Sequence, residues 1–384
     1  MEIKMEFNLS EDQIMVRDLA KEFAEKRLAP MALEMDEKSD MPKELLAEAA
    51  EMGFFGLMAP EEFGGSAVDT LSYALAIEEI SKACAGFAIP VSVHNSLVIK
   101  AIEIYGTQEQ KENYLPKLAS GEMIGAYSLS EPNSGTDAGS LTCQAIPDGD
   151  DLVMNGTKSW VSTAQFAGVF IVFALTDPEA GSKGISAVLI EPGIDGMTLG
   201  APEKKMGMKC SDTRELSFMD ARVPRKNILG EENHGFKVAL SLLDNGRIGI
   251  AAQALGIAQA AYEEALKYSK ERKQFGKTLS SFQAIQFKLA DMATQIDAAR
   301  LMVYRAATLK DAEGRFSKEI SMAKLYASEV ANKVANEAVQ IHGGYGYVKE
   351  YPVERYFRDA RVTEIYEGTS EAQRIVISRD LLKD

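Results

Sequence analysis

The sequence predicts an α+β multidomain protein with an N-terminal α-helical domain, a middle antiparallel β-domain and a C-terminal four-helix-bundle domain. Three observations lead to this prediction. A chain of 384 residues is long enough for two or three domains. Apolar residues recur at helical spacing in the first and last thirds of the chain, whereas the middle third contains short apolar runs bounded by Gly, Pro and Asp. We place the domains at residues 1–121, 122–231 and 232–384.

The N-terminal part begins with a clear helix signal. Ser10 is a good N-cap, and Gln13 follows three residues later as in a capping box. These residues predict a helix over 11–28 that ends at Pro30. Further apolar stretches follow after residue 70, and Pro90 is expected to separate two of them.

The middle part has the pattern of a small β-domain. Asn155-Gly156 lies between two extended-looking arms in 151–158, which predicts a hairpin turn at this dipeptide. The apolar runs 169–175 and 185–190 are short enough to be buried strands. No long helical period interrupts them, so we expect antiparallel pairing.

Long helices are predicted again after Gly235. The segments 239–272, 283–312 and 317–341 are rich in Ala, Leu, Ile and Met at three- and four-residue spacing. Such segments are typical of a helical bundle.

The composition argues against several classes of function. A net charge of −15 argues against nucleic-acid binding, because phosphate backbones attract a basic surface. The first six residues lack an apolar stretch of signal-peptide length, and no apolar run of 18 or more residues predicts a membrane span. Three scattered cysteines indicate a reducing compartment without a disulfide framework. A cytoplasmic protein is the expected result.

The sequence lacks the common motifs for nucleotides and metals. It contains no G-x-G-x-x-G after a strand, no phosphate-binding G-x-x-x-x-G-K-[ST] loop and no H-E-x-x-H. The three histidines, His94, His234 and His342, are scattered and are expected to be structural, so no metal site is predicted. Redox chemistry in this chain would therefore need an organic cofactor that is bound in another way.

The segment Ile365–Gln373 (IYEGTSEAQ) carries the strongest candidate for chemistry. Glu367 stands beside Gly368, and a glycine allows the backbone to approach a ligand closely. From these residues alone, a turn with a solvated acid is the simpler interpretation.

Three further segments suit the same chemistry, namely Tyr127–Gly139 (YSLSEPNSGTDAG), Arg272–Lys277 (RKQFGK) and Gln340–Tyr347 (QIHGGYGY). Each also has a plain interpretation, as a polar loop, a surface cation or a glycine-rich turn. In this order and spacing, however, the four segments resemble the acyl-CoA dehydrogenase family over about residues 7–382. Within that family the chain is most similar to the short-chain, butyryl-CoA-type members. The resemblance implies that the two helical parts pack together, with the β-domain to one side.

The resemblance also implies a bound FAD. The positions that it assigns to FAD are Tyr127, Leu129, Ser130, Thr136, Trp160, Ser162, Arg272, Phe275, Gln283, Gln340, Gly343, Gly344, Thr369 and Glu371. The positions from Arg272 to Gly344 would reach the FAD of a neighbouring subunit, which implies a homo-oligomer, typically a homotetramer. Thr163 stands where the family usually has Asn, so its role is open.

The implied substrate is an acyl-CoA thioester. Glu367 would abstract the α-proton while the β-carbon passes a hydride to FAD, and Thr136, Asp244, Arg247 and Gly368 would bind the substrate. From the residues alone, Asp244 and Arg247 equally suit a solvated helix face. A subset of the family carries its base on the helix equivalent to 246–261, but this stretch contains no Asp or Glu here. The implied electron acceptor is an electron-transferring flavoprotein.

Several alternatives remain open at this stage. An acyl-CoA oxidase would pass electrons to oxygen, and such proteins usually carry a further C-terminal domain, which this sequence is not expected to have. Nitroalkane oxidases share the fold but use Asp where Glu367 stands. An enoyl-CoA reductase would use the same groups in the reverse direction. A CoA-binding scaffold protein would be expected to have lost the base and the flavin contacts, which this chain retains.

Overall fold

The computed structural model describes residues 8–312 and 314–383. The first six residues, from which the absence of a signal peptide was expected, lie outside the described part. The helices before residue 120 are α1 (Glu11–Phe23), α2 (Ala32–Lys38), α3 (Lys43–Glu51), α4 (Thr70–Val93), α5 (Lys100–Tyr105) and α6 (Gln108–Ala119).

The predicted start of α1 is confirmed, but its predicted end is wrong. The Ser10 side chain accepts a hydrogen bond from the Gln13 N–H, and the Gln13 side chain accepts one from the Ser10 N–H. The helical path then continues through a π-turn (Ala24–Leu28) and a 3-10 turn that contains Pro30. Proline is tolerated in the first turn of a helical segment, because the N–H that it lacks has no partner there.

Pro90 likewise does not end a helix. It lies inside α4, and the break in α4 is at Cys84, where φ is −152° and ψ is 96°. The neighbours of Pro90 on both sides are buried in the core, and this packing outweighs the missing donor. Among the described residues, Thr70–Tyr105 is apolar and long enough to cross a membrane by composition, but 89% of its apolar window is buried inside the protein. A core helix of a globular protein has the same composition.

The middle part is a mixed sheet. Its strands are β1 (Ile124–Ser128), β2 (Gln144–Asp148), β3 (Asp151–Ser162), β4 (Ala167–Leu175), β5 (Ile185–Ile190), β6 (Met197–Leu199), β7 (Thr213–Pro224) and β8 (Ile228–Leu229). They are ordered β6-β7-β3-β2-β4-β5-β8, and β1 pairs with β4. Five strand pairs are antiparallel as predicted, whereas β1–β4 and β2–β4 are parallel. Parallel pairing needs a long crossover, and local turn signals do not reveal it.

The predicted hairpin turn at Asn155-Gly156 is wrong. The turn lies earlier, at Gly149 and Asp150, because Asp148 pairs with Asp151 across it. Gly156 lies inside β3 at a bulge, with a φ of 142°. A Cβ at this position would lie 2.7 Å from the Cα of Cys143, the residue before β2. The absence of a side chain at Gly156 therefore allows β3 to lie close to Cys143.

The C-terminal part is helical, as predicted. Its helices are α7 (Gly235–Glu271), α8 (Gln283–Lys310), α9 (Ser317–His342), α10 (Val353–Val362) and α11 (Ser370–Leu381), and two short strands, β9 (Lys273–Gln274) and β10 (Lys277–Thr278), form a hairpin between α7 and α8. Helix α9 lies against α7, α8 and α11.

One hydrophobic core joins the two helical parts. It includes Tyr73 and Ile77 of α4, Leu255 of α7, Val303 of α8 and Val334 of α9, all of them fully buried. The sheet has a core of its own and a second one against α5, α6 and α7.

The bulge glycine provides a stability test of this sheet. We predict that Gly156→Ala lowers the free energy of unfolding by at least about 2 kcal/mol, because the new Cβ meets Cys143 and the backbone is strained. Gly149→Ala is the matched control, since its φ of 66° is also left-handed but no atom lies within 4 Å of the new Cβ. It should cost about 1 kcal/mol. Urea unfolding followed by circular dichroism measures both, and equal losses would contradict the bulge assignment.

Candidate active site

The candidate base lies on a short strained segment between α10 and α11. Glu367 has a φ of 52° and Gly368 a φ of 92°, so two consecutive residues adopt left-handed conformations. The Thr369 side chain caps α11 by accepting a hydrogen bond from the Ala372 N–H. Gln373 of α11 donates its side-chain amide to the carbonyls of Glu367 and Gly368, at 3.2 and 2.9 Å. The start of α11 thus fixes the segment from one side.

The carboxylate of Glu367 has no hydrogen-bond partner in the described part of the chain. The residue is half-buried, and its Oε2 is inaccessible to solvent. Burial raises the pKa of Glu367 to about 7, although the charges of Arg247 and Lys324 act to lower it. A carboxyl group with a pKa near 7 is well suited to general-base catalysis at neutral pH.

Helix α7 forms the wall opposite this carboxylate. A Cβ at Gly246 would lie 2.6 Å from Glu367 Oε2 and 3.2 Å from Leu97. A Cβ at Gly249, one turn later, would lie 2.4 Å from the hydroxyls of Tyr73 and Ser92. Gly246 therefore keeps the α7 backbone close to the base, and Gly249 keeps it close to Tyr73 and Ser92.

Asp244 and Arg247 also face this region. Arg247 is 7% exposed and donates through Nη1 to Asp244 Oδ1 at 2.9 Å. Asp244 also accepts a hydrogen bond from Ser317 at the start of α9. The Nε of Arg247 is buried without a partner, so a donor remains for a ligand. The plain interpretation of these residues as a solvated helix face is wrong.

The loop after β1 is fixed by a buried ion pair that sequence reasoning missed. Lys158 is fully buried and its Nζ lies 2.7 Å from Glu131 Oε1 and 3.1 Å from the carbonyl oxygen of Leu129. The Glu131 carboxylate also accepts hydrogen bonds from Thr142. Burial alone would raise the pKa of Glu131, but Lys158 and these bonds lower it. The Ser159 N–H donates to the carbonyl of Ser130, which ties β3 to the loop.

Buried hydroxyls next to this loop lack partners. The Tyr127 Oη, the Ser128 Oγ and the Thr163 Oγ1 are inaccessible to solvent and form no hydrogen bond within the described chain. Buried hydroxyls are normally hydrogen-bonded. Tyr127 and Ser128 are neighbours on β1, so their side chains lie on opposite faces of the sheet. The unpaired Tyr127 hydroxyl, on the face towards Glu367, suits a polar ligand such as the implied FAD. Trp160, which is 62% exposed with a φ of 61°, and the half-buried Ser162 lie at the end of β3.

The remaining candidate positions fall into two groups. Tyr127 lies close enough to Glu367 for that carboxylate to raise the pKa of its hydroxyl further, beyond the effect of burial. Leu129 and Ser130 follow it as half-buried residues, Thr136 is exposed on the same loop, and Glu371 is exposed in the first turn of α11. Of the predicted positions, Tyr127 and Arg247 are shown to face Glu367, and Arg247 Nη2 also lies near Gly368.

The second group lies at the far end of the helical bundle. Arg272 directly follows α7 and is 25 residues beyond Arg247, about 38 Å away along the helix axis. Its guanidinium lies 5.2 Å from the ring centroid of Tyr345, beside Gly343 and Gly344. The other members are Phe275, which is 93% exposed, and the exposed Gln283 and Gln340. This group, defined here as the distal patch, cannot contact a ligand at Glu367 of its own chain.

The histidines have structural contacts. His94 is fully buried, accepts a hydrogen bond from the Gly125 N–H at Nδ1 and contacts the Leu118 carbonyl through Nε2. His342 stacks on Tyr268 at a ring-centroid distance of 4.1 Å. Within residues 8–312 and 314–383, no group of three or more His, Cys, Asp or Glu side chains could hold a metal ion.

Sequence reasoning also missed Lys324 and Gln373, which hold the segment of the base. Lys324 lies on the apolar stripe of α9, four residues after Ile320 and three before Ala327, and is fully buried. A lysine on a buried stripe is unusual. The helical period of the sequence could therefore have revealed it.

Comparison with known proteins shows similarity along the chain. Three family models match consecutive parts of the chain: the acyl-CoA dehydrogenase N-terminal domain over residues 10–122, the middle domain over 126–221 and the C-terminal domain over 233–382. A relative 49% identical over 99% of this chain and 97% of its own is the acryloyl-CoA reductase (NADH) of Anaerotignum propionicum.

Solved structures are similar over the whole length. The butyryl-CoA dehydrogenase of Megasphaera elsdenii is 48% identical with a TM-score of 0.97, covering 99% of this chain and 100% of that one. A chain in a structure of the electron transferring flavoprotein of Acidaminococcus fermentans is 50% identical with the same TM-score and coverage. From these matches and the geometry of the site, the chain belongs to the acyl-CoA dehydrogenase family.

Proposed function

We propose that this protein catalyses FAD-dependent α,β-dehydrogenation of a short-chain acyl-CoA thioester, with Glu367 as the base. The observation that carries this proposal is the unpartnered, solvent-inaccessible carboxylate oxygen of Glu367, which faces Gly246 across a narrow gap. The similarity to a butyryl-CoA dehydrogenase supports a short acyl chain.

The chemistry follows from the groups around the base. The α-proton of a thioester is far too weakly acidic for a free carboxylate, so the site must assist its removal. Exclusion of water raises the basicity of Glu367. The backbone N–H of Glu367 has no acceptor in the described part of the chain and suits the thioester oxygen, on which negative charge develops. FAD, when bound, supplies the acceptor for the hydride from the β-carbon.

The FAD site is proposed from both groups of residues. Tyr127, Leu129, Ser130, Thr136, Trp160, Ser162, Thr369 and Glu371 would hold FAD on the chain that provides the base. Thr163 has a buried hydroxyl without a partner and could donate to the same ligand. The distal patch would hold the FAD of a neighbouring subunit, since it lies too far from Glu367 of its own chain. The active form is then a homo-oligomer, proposed to be a tetramer.

The substrate site is proposed to consist of Thr136, Asp244, Arg247 and Gly368. Arg247 offers a buried cation with an unused donor to an anionic ligand. Electrons are proposed to leave to an electron-transferring flavoprotein, and the cytoplasm is the proposed location. We also propose domain limits at residues 121/122 and 231/232.

A second candidate function is the reduction of a 2-enoyl-CoA. It is favoured by the relative that is an acryloyl-CoA reductase. The same carboxyl group would then protonate the α-carbon, since the groups of the site serve both directions.

Anaerobic titration with a panel of acyl-CoAs tests the proposed function. The protein is expected to purify yellow, with about one FAD per chain, and the flavin absorbance should bleach with butyryl-CoA and less with longer thioesters. Electrons should then pass to an electron-transferring flavoprotein. Rapid stoichiometric peroxide formation in air would instead identify an oxidase. Reduction of the flavin by NADH, followed by its reoxidation with crotonyl-CoA, would favour the reductase. A folded protein that does not take up FAD would contradict the proposal.

The pH dependence tests the base itself. Because Glu367 must be deprotonated and its pKa is about 7, kcat/KM for butyryl-CoA should rise about tenfold per pH unit below pH 7 and level off above it. Glu367→Gln should retain FAD, but the rate at which butyryl-CoA reduces the flavin should fall by roughly 10²–10⁴-fold. Glu367→Asp should be intermediate, since its carboxylate is misplaced by about one methylene. Stopped-flow reduction of the Gln variant at the wild-type rate would disprove the assignment.

The distal patch predicts a shared cofactor site. Arg272→Ala should weaken FAD retention, and Arg272→Lys should restore it only in part, because an ammonium lacks the paired fork that binds pyrophosphate. Arg17→Ala, which removes a half-buried arginine of α1 that is paired with Asp18, is the control. FAD retained after gel filtration is the measurement, together with sedimentation. A strictly monomeric, fully flavinated and active protein would contradict the shared site.

A further inference from the structure

Lys324 of α9 is a buried lysine without a carboxylate partner. Its side chain is fully buried, and no Asp or Glu of the described residues forms a salt bridge with it. Lysines are almost never fully buried unless they are paired. A site of this kind needs a specific reason, because an unpaired charge is expensive to bury.

The only hydrogen bond of this ammonium among the described residues leads to the segment of the base. Lys324 Nζ donates to the Gly368 carbonyl at 2.8 Å. The same carbonyl accepts from Gln373 Nε2 at 2.9 Å. The Gly368 carbonyl therefore accepts two hydrogen bonds, one from α9 and one from α11.

The conformation of this segment explains why it needs such support. A non-glycine residue in the left-handed region is strained by roughly 1–2 kcal/mol, and Glu367 has a φ of 52°. The conformation leaves the Glu367 N–H without an acceptor in the described chain and directs its carboxylate towards Gly246. Rotation of the Glu367–Gly368 backbone would relieve the strain and turn both groups away.

The charge of Lys324 also acts on the base. The titratable groups that face Glu367 are Arg247 of α7, Lys324 of α9, Tyr73 of α4, Tyr127 of β1 and the adjacent Tyr366. Burial raises the pKa of each of these tyrosines, so they remain neutral. Arg247 is already paired with Asp244. Lys324 forms no salt bridge among the described residues, and Glu367 is the carboxylate that acts on it most strongly. Burial lowers the pKa of Lys324 to about 8, and the negative charge of Glu367 opposes that effect.

We propose that Lys324 is a positioning residue for the reaction, which holds the Glu367–Gly368 segment through the Gly368 carbonyl and stabilises the ionised form of the base through its charge. This inference rests on the assignment of Glu367 as the base. It predicts two separable effects, since the hydrogen bond fixes geometry and the charge fixes the protonation state.

Three substitutions separate these effects. Lys324→Met removes both the donor and the charge, Lys324→Gln keeps a donor, and Lys324→Arg keeps both. Lys333→Met, which removes an exposed lysine from the same helix, is the control. The measurements are the pH profile of kcat/KM for butyryl-CoA, the limiting rate of flavin reduction at high pH, the FAD content and the thermal unfolding midpoint.

Lys324→Met should move the midpoint of the pH profile upwards by about one pH unit or more, because a nearby opposite charge lowers the pKa of a carboxyl group. Its limiting rate should fall by at least about tenfold through misplacement of the base. Lys324→Gln should show the same shift of the midpoint with a smaller loss of limiting rate, and Lys324→Arg should restore the midpoint. If the Met variant does not fold, the Gln variant carries the test.

Two results would overturn the proposal. One is an unchanged pH midpoint in the Met or Gln variant with full FAD content, since the ammonium would then not act on the base. The other is an equal loss of FAD and thermal stability in all three variants, with no recovery by Arg, since the lysine would then only fill space. A wild-type protein that butyryl-CoA does not reduce would instead refute the proposed function.

Discussion

A carboxylate that is withdrawn from water without a hydrogen-bond partner is the constraint on which this site depends. Such a group is destabilising unless its surroundings hold it in place and keep its charge tolerable. Glu367 meets this requirement through Gln373 and Lys324, which hold its backbone, and through the charges of Arg247 and Lys324. These residues come from α7, α9 and α11, so the site exists only when the helical bundle has formed.

The architecture provides two rigid walls for the base. The first is the close approach of α7, which requires Gly246 and Gly249 because any side chain there would meet Glu367 or Tyr73. The second is the sheet edge with the loop after β1, which the buried Glu131–Lys158 pair fixes. Breaking such a pair is strongly destabilising, since it leaves one charge uncompensated. The space between the walls belongs to both the helical and the β parts of the chain.

Local signals in the sequence predicted the elements better than their junctions. Ser10 and Gln13 predicted the start of α1, because a capping box acts through neighbouring residues. Asn155-Gly156 misled the turn assignment, because the glycine is needed for the close approach of β3 to Cys143, just before β2. Pro90 misled the helix boundary for the same reason, since the surrounding core overrides local propensity. The parallel β1–β4 pair was also beyond reach, as its partners are far apart in sequence.

The residues of the candidate site were likewise predictable only in part. Glu367 and Gly368 were found because an acid beside a glycine is visible in the sequence, and the resemblance of four segments added the cofactor positions. Lys324 and Lys158 were missed because a lysine normally indicates a surface, although the helical period of α9 places Lys324 on its buried stripe. The length of α7 between Arg247 and Arg272 divides the candidate residues into a set near Glu367 and the distal patch. A motif in the sequence does not show this distance.

The proposed mechanism depends most directly on the protonation of Glu367 in the folded protein. Difference infrared spectroscopy between wild type and Glu367→Gln, recorded across pH, isolates the carboxyl band of Glu367. We expect a protonated band that disappears with a midpoint near pH 7. A band that has already disappeared near the usual value of 4.5 would show that the carboxylate is solvated, and would contradict its role as a buried base.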